Sequence, residues 1–389
     1  MEFEPWYLSA LPVLFAVGWW ARGYEARVRA ADQGAAPRSL FRGLRLLLSE
    51  QPDRAIDAFI EVVKLDPETI ELHYALGSLF RRQGEIDRAV RIHNYLLSRA
   101  DLPAAERANA LAELGQDFLK GGMLDRAEGA FSRLLQEREH RFEALRALLR
   151  VYQTEREWTR AIECAQQLEG EAGETHQVAL AHFHCELAEQ ATAVADLGRA
   201  NEQLRAALKA HPKSVRAAIL AGDVALRREH RPEAIEHWQR VVSEAPAYAP
   251  LVMERLMKAL EAEGRRREAL ALLRHSLGEN PSIDLLDQAC HFVREWEGAD
   301  AAEALLREEL QRHPSLLGFE RLLALRGSRQ PADPELPLLR GLIHAQAQKM
   351  ARYRCERCGF RSREFYWNCP SCWNWDSYPP RRIEELEVT

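Results

Sequence analysis

Four cysteines crowd into residues 353–375, YRCERCGFRSREFYWNCPSCWNW. Cys355 and Cys358 form one C-x-x-C, Cys369 and Cys372 a second, and 10 residues separate the two pairs. Two residues between cysteines let each pair chelate one ion from a tight turn, and Gly359 supplies the φ > 0 freedom such a knuckle needs. Four thiolates closing a tetrahedral shell leave no position for water or substrate, so the chemistry implied is one metal ion in a structural role. S₄ geometry accepts either Zn²⁺ or iron. Two disulfides are the competing reading, and a reducing compartment, argued below, disfavours it.

No other chemistry-bearing motif accompanies the cysteines. The chain contains no G-x-x-x-x-G-K-[ST], G-x-G-x-x-G, H-E-x-x-H or G-x-S-x-G. His182, His184 and Cys185 are the other ligand-like group, but His182 and His184 do not share a helix face, so they read as a helix-surface histidine pair. Gly264-Arg265-Arg266-Arg267 reads as a solvated turn. The expectation is a protein that is not an enzyme. Nucleic acid is also disfavoured. Residues 351–382 hold seven arginines against three acidic residues, +4, which a Zn²⁺ with four thiolates lowers to +2. The whole chain carries −6. Phe360, Phe365, Tyr366, Trp367, Trp373 and Trp375 could stack bases. In a segment too short for a core without metal, they serve better as its interior and its dock onto the helices before it.

The elements that position this site begin at the other end of the chain. Of 389 residues, 47% are hydrophobic and 29% charged, which excludes wholesale disorder and a polytopic membrane protein. Pro5 to Ala21, PWYLSALPVLFAVGWWA, carries no charge over 17 residues. As a helix it spans about 26 Å, with Trp6, Tyr7, Trp19 and Trp20 at headgroup level. Glu2 and Glu4 stand where a signal peptide would be basic, and no small-x-small cleavage site follows, so residues 1–21 read as an uncleaved single-pass anchor. No Lys or Arg precedes the run, whereas Arg22, Arg27, Arg29, Arg38, Arg42 and Arg45 follow it. The N-terminus is therefore expected in the periplasm and the bulk of the chain in the cytoplasm, after a juxtamembrane linker at 22–38. There Cys164, Cys185 and Cys290 are unpaired thiols.

Between anchor and cysteines the chain repeats itself. HYALGSLFRRQGEIDRAVRIHNYLL (73–97) aligns with AELGQDFLKGGMLDRAEGAFSRLL (112–135), matching Leu76-Gly77, Phe80 and Ala89 to Leu114-Gly115, Phe118 and Ala127. Extending the register gives Ala55, Ala89, Ala127, Ala161, Ala200, Ala234, Ala269 and Ala302, spaced 34, 38, 34, 39, 34, 35 and 33. Pro67, Pro212, Pro246, Pro281 and Pro314 close units because proline cannot continue a helix. The pattern resembles the tetratricopeptide repeat, a helix–turn–helix unit stacked into a solenoid. About eight units run from 39 to 314; Gly and Ala remove bulk where paired helices cross, and the fourth, fifth and eighth units lack the Gly. Residues 315–350 read as a degenerate ninth unit or cap, broken by Pro331, Pro334 and Pro337. The concave, partner-binding face is expected to carry Tyr74, Arg81, Asn109, Glu113, Gln116, Arg146 and Arg150. Leu40 and Leu44 stand where some family members carry a clamp for a carboxyl terminus, so that clamp is absent; with Phe41 and Leu48 they read either as a cap on the array or as a surface that packs on a partner's membrane helix, the cap being favoured.

The C-terminal segment, 351–389 with its tail, resembles the rubredoxin-like and zinc-ribbon family through C-x-x-C-G and C-P-x-C. It departs at Trp373, where a rubredoxin usually has glycine, and in its shorter loop; both departures weaken electron transfer and favour Zn²⁺ over iron. The fold class is thus an all-α tetratricopeptide solenoid with one N-terminal transmembrane helix and a small metal domain. That order of parts is similar to the lipopolysaccharide assembly protein B family of Gram-negative bacteria. The resemblance implies an inner-membrane adaptor that promotes degradation of the deacetylase LpxC by the membrane protease FtsH and works beside other lipopolysaccharide assembly proteins. Homo-oligomerisation is left open. A membrane-tethered scaffold for another envelope complex and a rubredoxin-like electron carrier are the alternatives.

Overall fold

The computed structural model describes residues 69–329, 335–350 and 352–384. The expected anchor at 1–21, the linker at 22–38 and the first repeat, with Leu40, Phe41, Leu44, Leu48, Ala55 and Pro67, lie outside the described residues. Among the described residues, no helix is long and apolar enough to cross a membrane.

Contacts divide the chain into two compact units, one ending at Glu155 and the other starting at Arg156. The first contains α1 (Ile70–Gln83), α2 (Ile86–Ser98), α3 (Ala104–Lys120), α4 (Leu124–Leu134) and α5 (Arg141–Glu155). The second contains α6 (Trp158–Ala172), α7 (Gln177–Ala193), α8 (Leu197–Ala210), α9 (Val215–Arg227), α10 (Arg231–Glu244), α11 (Ala249–Ala262), α12 (Arg266–Glu279), α13 (Ile283–Trp296), α14 (Ala299–Arg312), α15 (Leu316–Arg329) and α16 (Glu335–Met350). The expected cap is the helix pair α15–α16. Beyond it, β1 (Tyr353–Arg354) pairs antiparallel with β2 (Arg361–Ser362), Tyr353 opposite Ser362.

The described alanines of the register are buried throughout. Ala89, Ala127, Ala161, Ala200, Ala234 and Ala269 are wholly buried and Ala302 is 1% exposed. The glycines do something more specific than thinning a crossing. A Cβ on Gly77 would strike the His93 ring, on Gly115 the Phe131 ring and on Gly222 the Trp238 ring. Each ring comes four residues after the register alanine, so glycine on the first helix makes the socket for an aromatic on the second. In the fifth, seventh and eighth units the socket position holds a side chain, and the second helix answers with leucine. Ala188 pairs with Leu204, Met257 with Leu273 and Cys290 with Leu306, each pair within one core. Met257 shows that the seventh unit lacks the glycine too. Close packing leaves no slack for a mismatched pair.

Turn chemistry follows the prolines. Pro212 and Pro281 stand just after α8 and α12, and the next helices start on capping serines. Ser214 accepts from the Ala217 amide at 3.4 Å, and Ser282 accepts from the Leu285 amide at 3.3 Å.

Candidate metal centre

The two cysteine pairs sit on matching turns. In the first, the Gly359 amide donates to the Cys355 carbonyl at 2.9 Å and Gly359 turns left-handed at φ 76°. In the second, the Trp373 amide donates to the Cys369 carbonyl at 2.8 Å, with Trp373 at φ 58°. Trp373 thus takes the left-handed place that glycine holds in the first turn, so its side chain does not abolish the knuckle. The four sulfurs lie within 4.8 Å of one another. Cys355 Sγ is 3.7 Å from Cys372 Sγ, and Cys358 Sγ is 3.6 Å from Cys369 Sγ. A tetrahedral ion with 2.3 Å metal–sulfur bonds needs edges of about 3.8 Å. These residues fit one such ion, and all four cysteines are free of disulfides. The donor set accepts zinc or iron.

The surroundings divide the thiols. Burial opposes ionisation of Cys372, but hydrogen bonds from the side chain and backbone of Asn374 and from Cys369 and Cys358 outweigh it and bring the thiol down to about 6. Burial likewise opposes Cys355, and the Ser377 hydroxyl with the Cys358 and Arg357 amides overcomes it. Burial dominates at Cys369 and pushes it up to about 12. The sulfurs also belong to a very small core, in which Cys355 and Cys369 are buried with Tyr353 and Tyr378.

This ribbon lies against one stripe of the second unit. His182 on α7, Arg216 on α9 and Asp284 on α13 are separated by 34 and 68 residues, the same place in their repeats. The His182 ring stacks on Trp375 at 4.4 Å and 15°, and its Nε2 donates to Asp376 Oδ1 at 2.9 Å. Arg216 lies over the Trp375 ring at 6.0 Å while its Nη2 holds Glu186 and Glu189 at 2.8 and 2.6 Å. Tyr248, just before α11, stacks on Trp367 at 5.7 Å with the planes 1° apart. Asp284 accepts from Arg382 through both oxygens, at 2.9 and 2.8 Å, and from the Tyr353 hydroxyl at 2.9 Å; Arg382 also covers the Tyr353 ring at 3.9 Å. Arg381 donates to Asn280 at 3.2 Å. The last described residue, Glu384, accepts from the Leu316 and Leu317 amides and from Ser315 Oγ at 2.9 Å, and so caps α15.

Docking onto the last helices is therefore observed, and it reaches much farther back than the sequence suggested. His182 is not a helix-surface histidine: it is 1% exposed and engaged by the ribbon, whereas His184 turns to Gln203 at 2.8 Å. The signal for His182, Arg216 and Asp284 was present in their spacing, but three different residue types hid it.

Glu384→Gln should loosen this arrangement measurably. An uncharged amide caps a helix N-terminus more weakly than a carboxylate, so a loss of about 1 kcal/mol is expected. Faster hydrogen exchange at the Leu316 and Leu317 amides is the signature, and unchanged exchange there would refute the cap.

The expected groove residues all lie in the first unit. Arg81 donates to Glu113 Oε2 at 2.7 Å and to Asp117 Oδ1 at 2.8 Å, and Asp117 also meets His93 in the core. The Tyr74 hydroxyl donates to the Glu106 carbonyl at 2.8 Å, and Asn109 approaches the Glu106 carboxylate at 3.4 Å. Tyr74, Arg81, Asn109 and Glu113 thus join α1 to α3 or brace α3. Gln116 is half-buried, and Arg146 and Arg150 are exposed on α5.

Comparison with known proteins agrees with this anatomy. A family model described as the rubredoxin metal binding domain matches residues 353–379, and a tetratricopeptide repeat model matches 42–108 and 186–249. A tetratricopeptide repeat protein from Parabacteroides merdae superposes loosely on 74% of this chain and 97% of its own, with TM-score 0.27 and 16% identity. Lipopolysaccharide assembly protein B of Haemophilus influenzae is 29% identical over 96% of this chain and 98% of its own length. The protein of that name from Escherichia coli K12 is 35% identical over 376 residues, 96% of this chain and 97% of the relative. The similarity thus runs along nearly the entire length, and the chain belongs to the lipopolysaccharide assembly protein B family.

Proposed function

We propose that this protein is a non-catalytic adaptor in lipopolysaccharide assembly, held at the inner membrane by Pro5–Ala21 with its N-terminus in the periplasm. The observation that carries this reading is end-to-end similarity to proteins named for lipopolysaccharide assembly. The four-thiolate site, closed to substrate, supports it. The repeat array supplies binding surface, and the ribbon, holding Zn²⁺ rather than iron, braces it from α7 to α15. Its partners are the membrane protease FtsH, the deacetylase LpxC and other assembly proteins of the inner membrane. A tether confines the array to the membrane face and raises its effective concentration towards a membrane protease. Delivery of LpxC to FtsH follows as the mechanism.

Depleting the protein in its own host tests this directly. LpxC, followed by immunoblot, should accumulate when the protease is active and show no difference when it is inactive. Unchanged LpxC turnover would sink the delivery mechanism and leave a tethered scaffold for another envelope complex.

A further inference from the structure

The stripe that receives the ribbon is well matched at one end and poorly matched at the other. Around Asp284 and Glu384 the described contacts pair charge with charge and carboxylate with amide. Around Trp375 they do not. Trp158 Nε1, Arg216 Nε and Nη1, His182 Nδ1 and Trp375 Nε1 are all buried without a hydrogen-bond partner. Trp158, His182 and Arg216 are 6%, 1% and 5% exposed, so bulk water does not serve them. The rings nevertheless form a defined receptacle: besides His182, Trp158 and Phe183 meet Trp375 edge-on at 6.5 and 6.0 Å. A folded protein seldom leaves several buried donors unanswered in one place.

We propose that this receptacle is a binding site for a partner protein's segment bearing an aromatic residue followed by an acidic one, and that Trp375-Asp376 is a built-in stand-in for that segment. The stand-in fills the aromatic slot and gives His182 a carboxylate. It brings its own unpaired indole N–H and leaves Trp158 and Arg216 donors unanswered. A Phe or Tyr adds no such indole donor, and a partner's backbone carbonyls or carboxylate can meet the remaining N–H groups. A partner therefore competes with the ribbon's second knuckle, while the Asp284 and Glu384 contacts keep the ribbon attached. This deepens the adaptor reading by naming the chemistry of a partner, but it rests on that reading only in assuming that the partner is a protein.

The test uses the full chain, loaded with metal, and a fluorescein-labelled peptide copied from residues 373–378, WNWDSY, with Phe replacing its second Trp. In the wild type the stand-in holds the site closed, and the apparent affinity falls by the fraction of molecules that are open. Asp376→Asn, which suits the left-handed backbone at φ 50°, and Trp375→Ala should each tighten peptide binding by about tenfold or more. Adding Arg216→Gln to Trp375→Ala should abolish it. Bound metal and thermal melts confirm that each variant is folded. A folded, metal-loaded Trp375→Ala protein that binds no peptide would overturn the proposal, as would binding indifferent to Arg216→Gln. The adaptor reading stands or falls separately, on LpxC turnover.

Discussion

Cys369→Ser protein should purify without metal, with residues 352–384 open to trypsin and with faster hydrogen exchange in α7, α13 and the start of α15. The ribbon has two two-residue strands and a core in which two of the four buried members are ligands. About thirty residues cannot bury enough surface to fold unaided. A structural zinc site contributes about 10–16 kcal/mol of apparent free energy to such a module, and losing one buried thiolate removes most of it. The stripe then loses its occupants together, because Trp367, Trp375, Arg382 and Glu384 all hang from the ribbon. Far-UV helicity should persist, since the alanine seams do not involve it. Metal analysis of the wild type should find one zinc per chain and no visible absorption band. A metal-free variant with an intact, protease-resistant ribbon would contradict the structural role of the site.

The second large effect lies in the repeats. Trp238 is wholly buried in the socket above Gly222, and its Nε1 donates to the Ile219 carbonyl at 3.2 Å. Trp238→Ala should cost about 3–5 kcal/mol, read as a fall in the denaturant midpoint of the second unit. The more searching version is a double-mutant cycle. Gly222→Ala drives a methyl into the indole, and Trp238→Leu empties the socket, so each alone destabilises. Together they recreate the Ala188–Leu204 pair of an earlier repeat, and the double mutant should sit about 1–2 kcal/mol above the sum of its parts. Strict additivity would mean that the two positions do not form a unit.

The parts of the molecule differ in how openly the chain announces them. The alanine register was legible because a buried small residue recurs at the same helical place, and the structure buries each described member. The cysteine cluster was legible because chelation demands fixed spacing. Size exchange between socket and ring was not, since it becomes visible only when residues 16 apart, such as Gly222 and Trp238, are seen in contact. The ribbon's footprint was least legible. Arg382 and Asp284 are 98 positions apart, His182 and Asp376 are 194 apart, and nothing local to either member hints at the other. The ribbon's aromatics were read as interior and dock together, and the structure sorts them: Phe365 and Tyr366 pack inward, Trp367 and Trp375 outward.

The sockets and the stripe have opposite consequences for descent. Each described socket and its ring belong to one repeat, so a repeat can be duplicated or deleted without spoiling its neighbours' interiors. The ribbon tolerates no such editing in the second unit. It touches His182, Arg216, Asp284 and the α15 amides in that order at fixed intervals. Inserting or removing one repeat between α7 and α15 would carry the contacts on one side of the change a full unit out of step with those on the other. The metal domain is thus a gauge of array length: it fits one number of repeats and penalises every other.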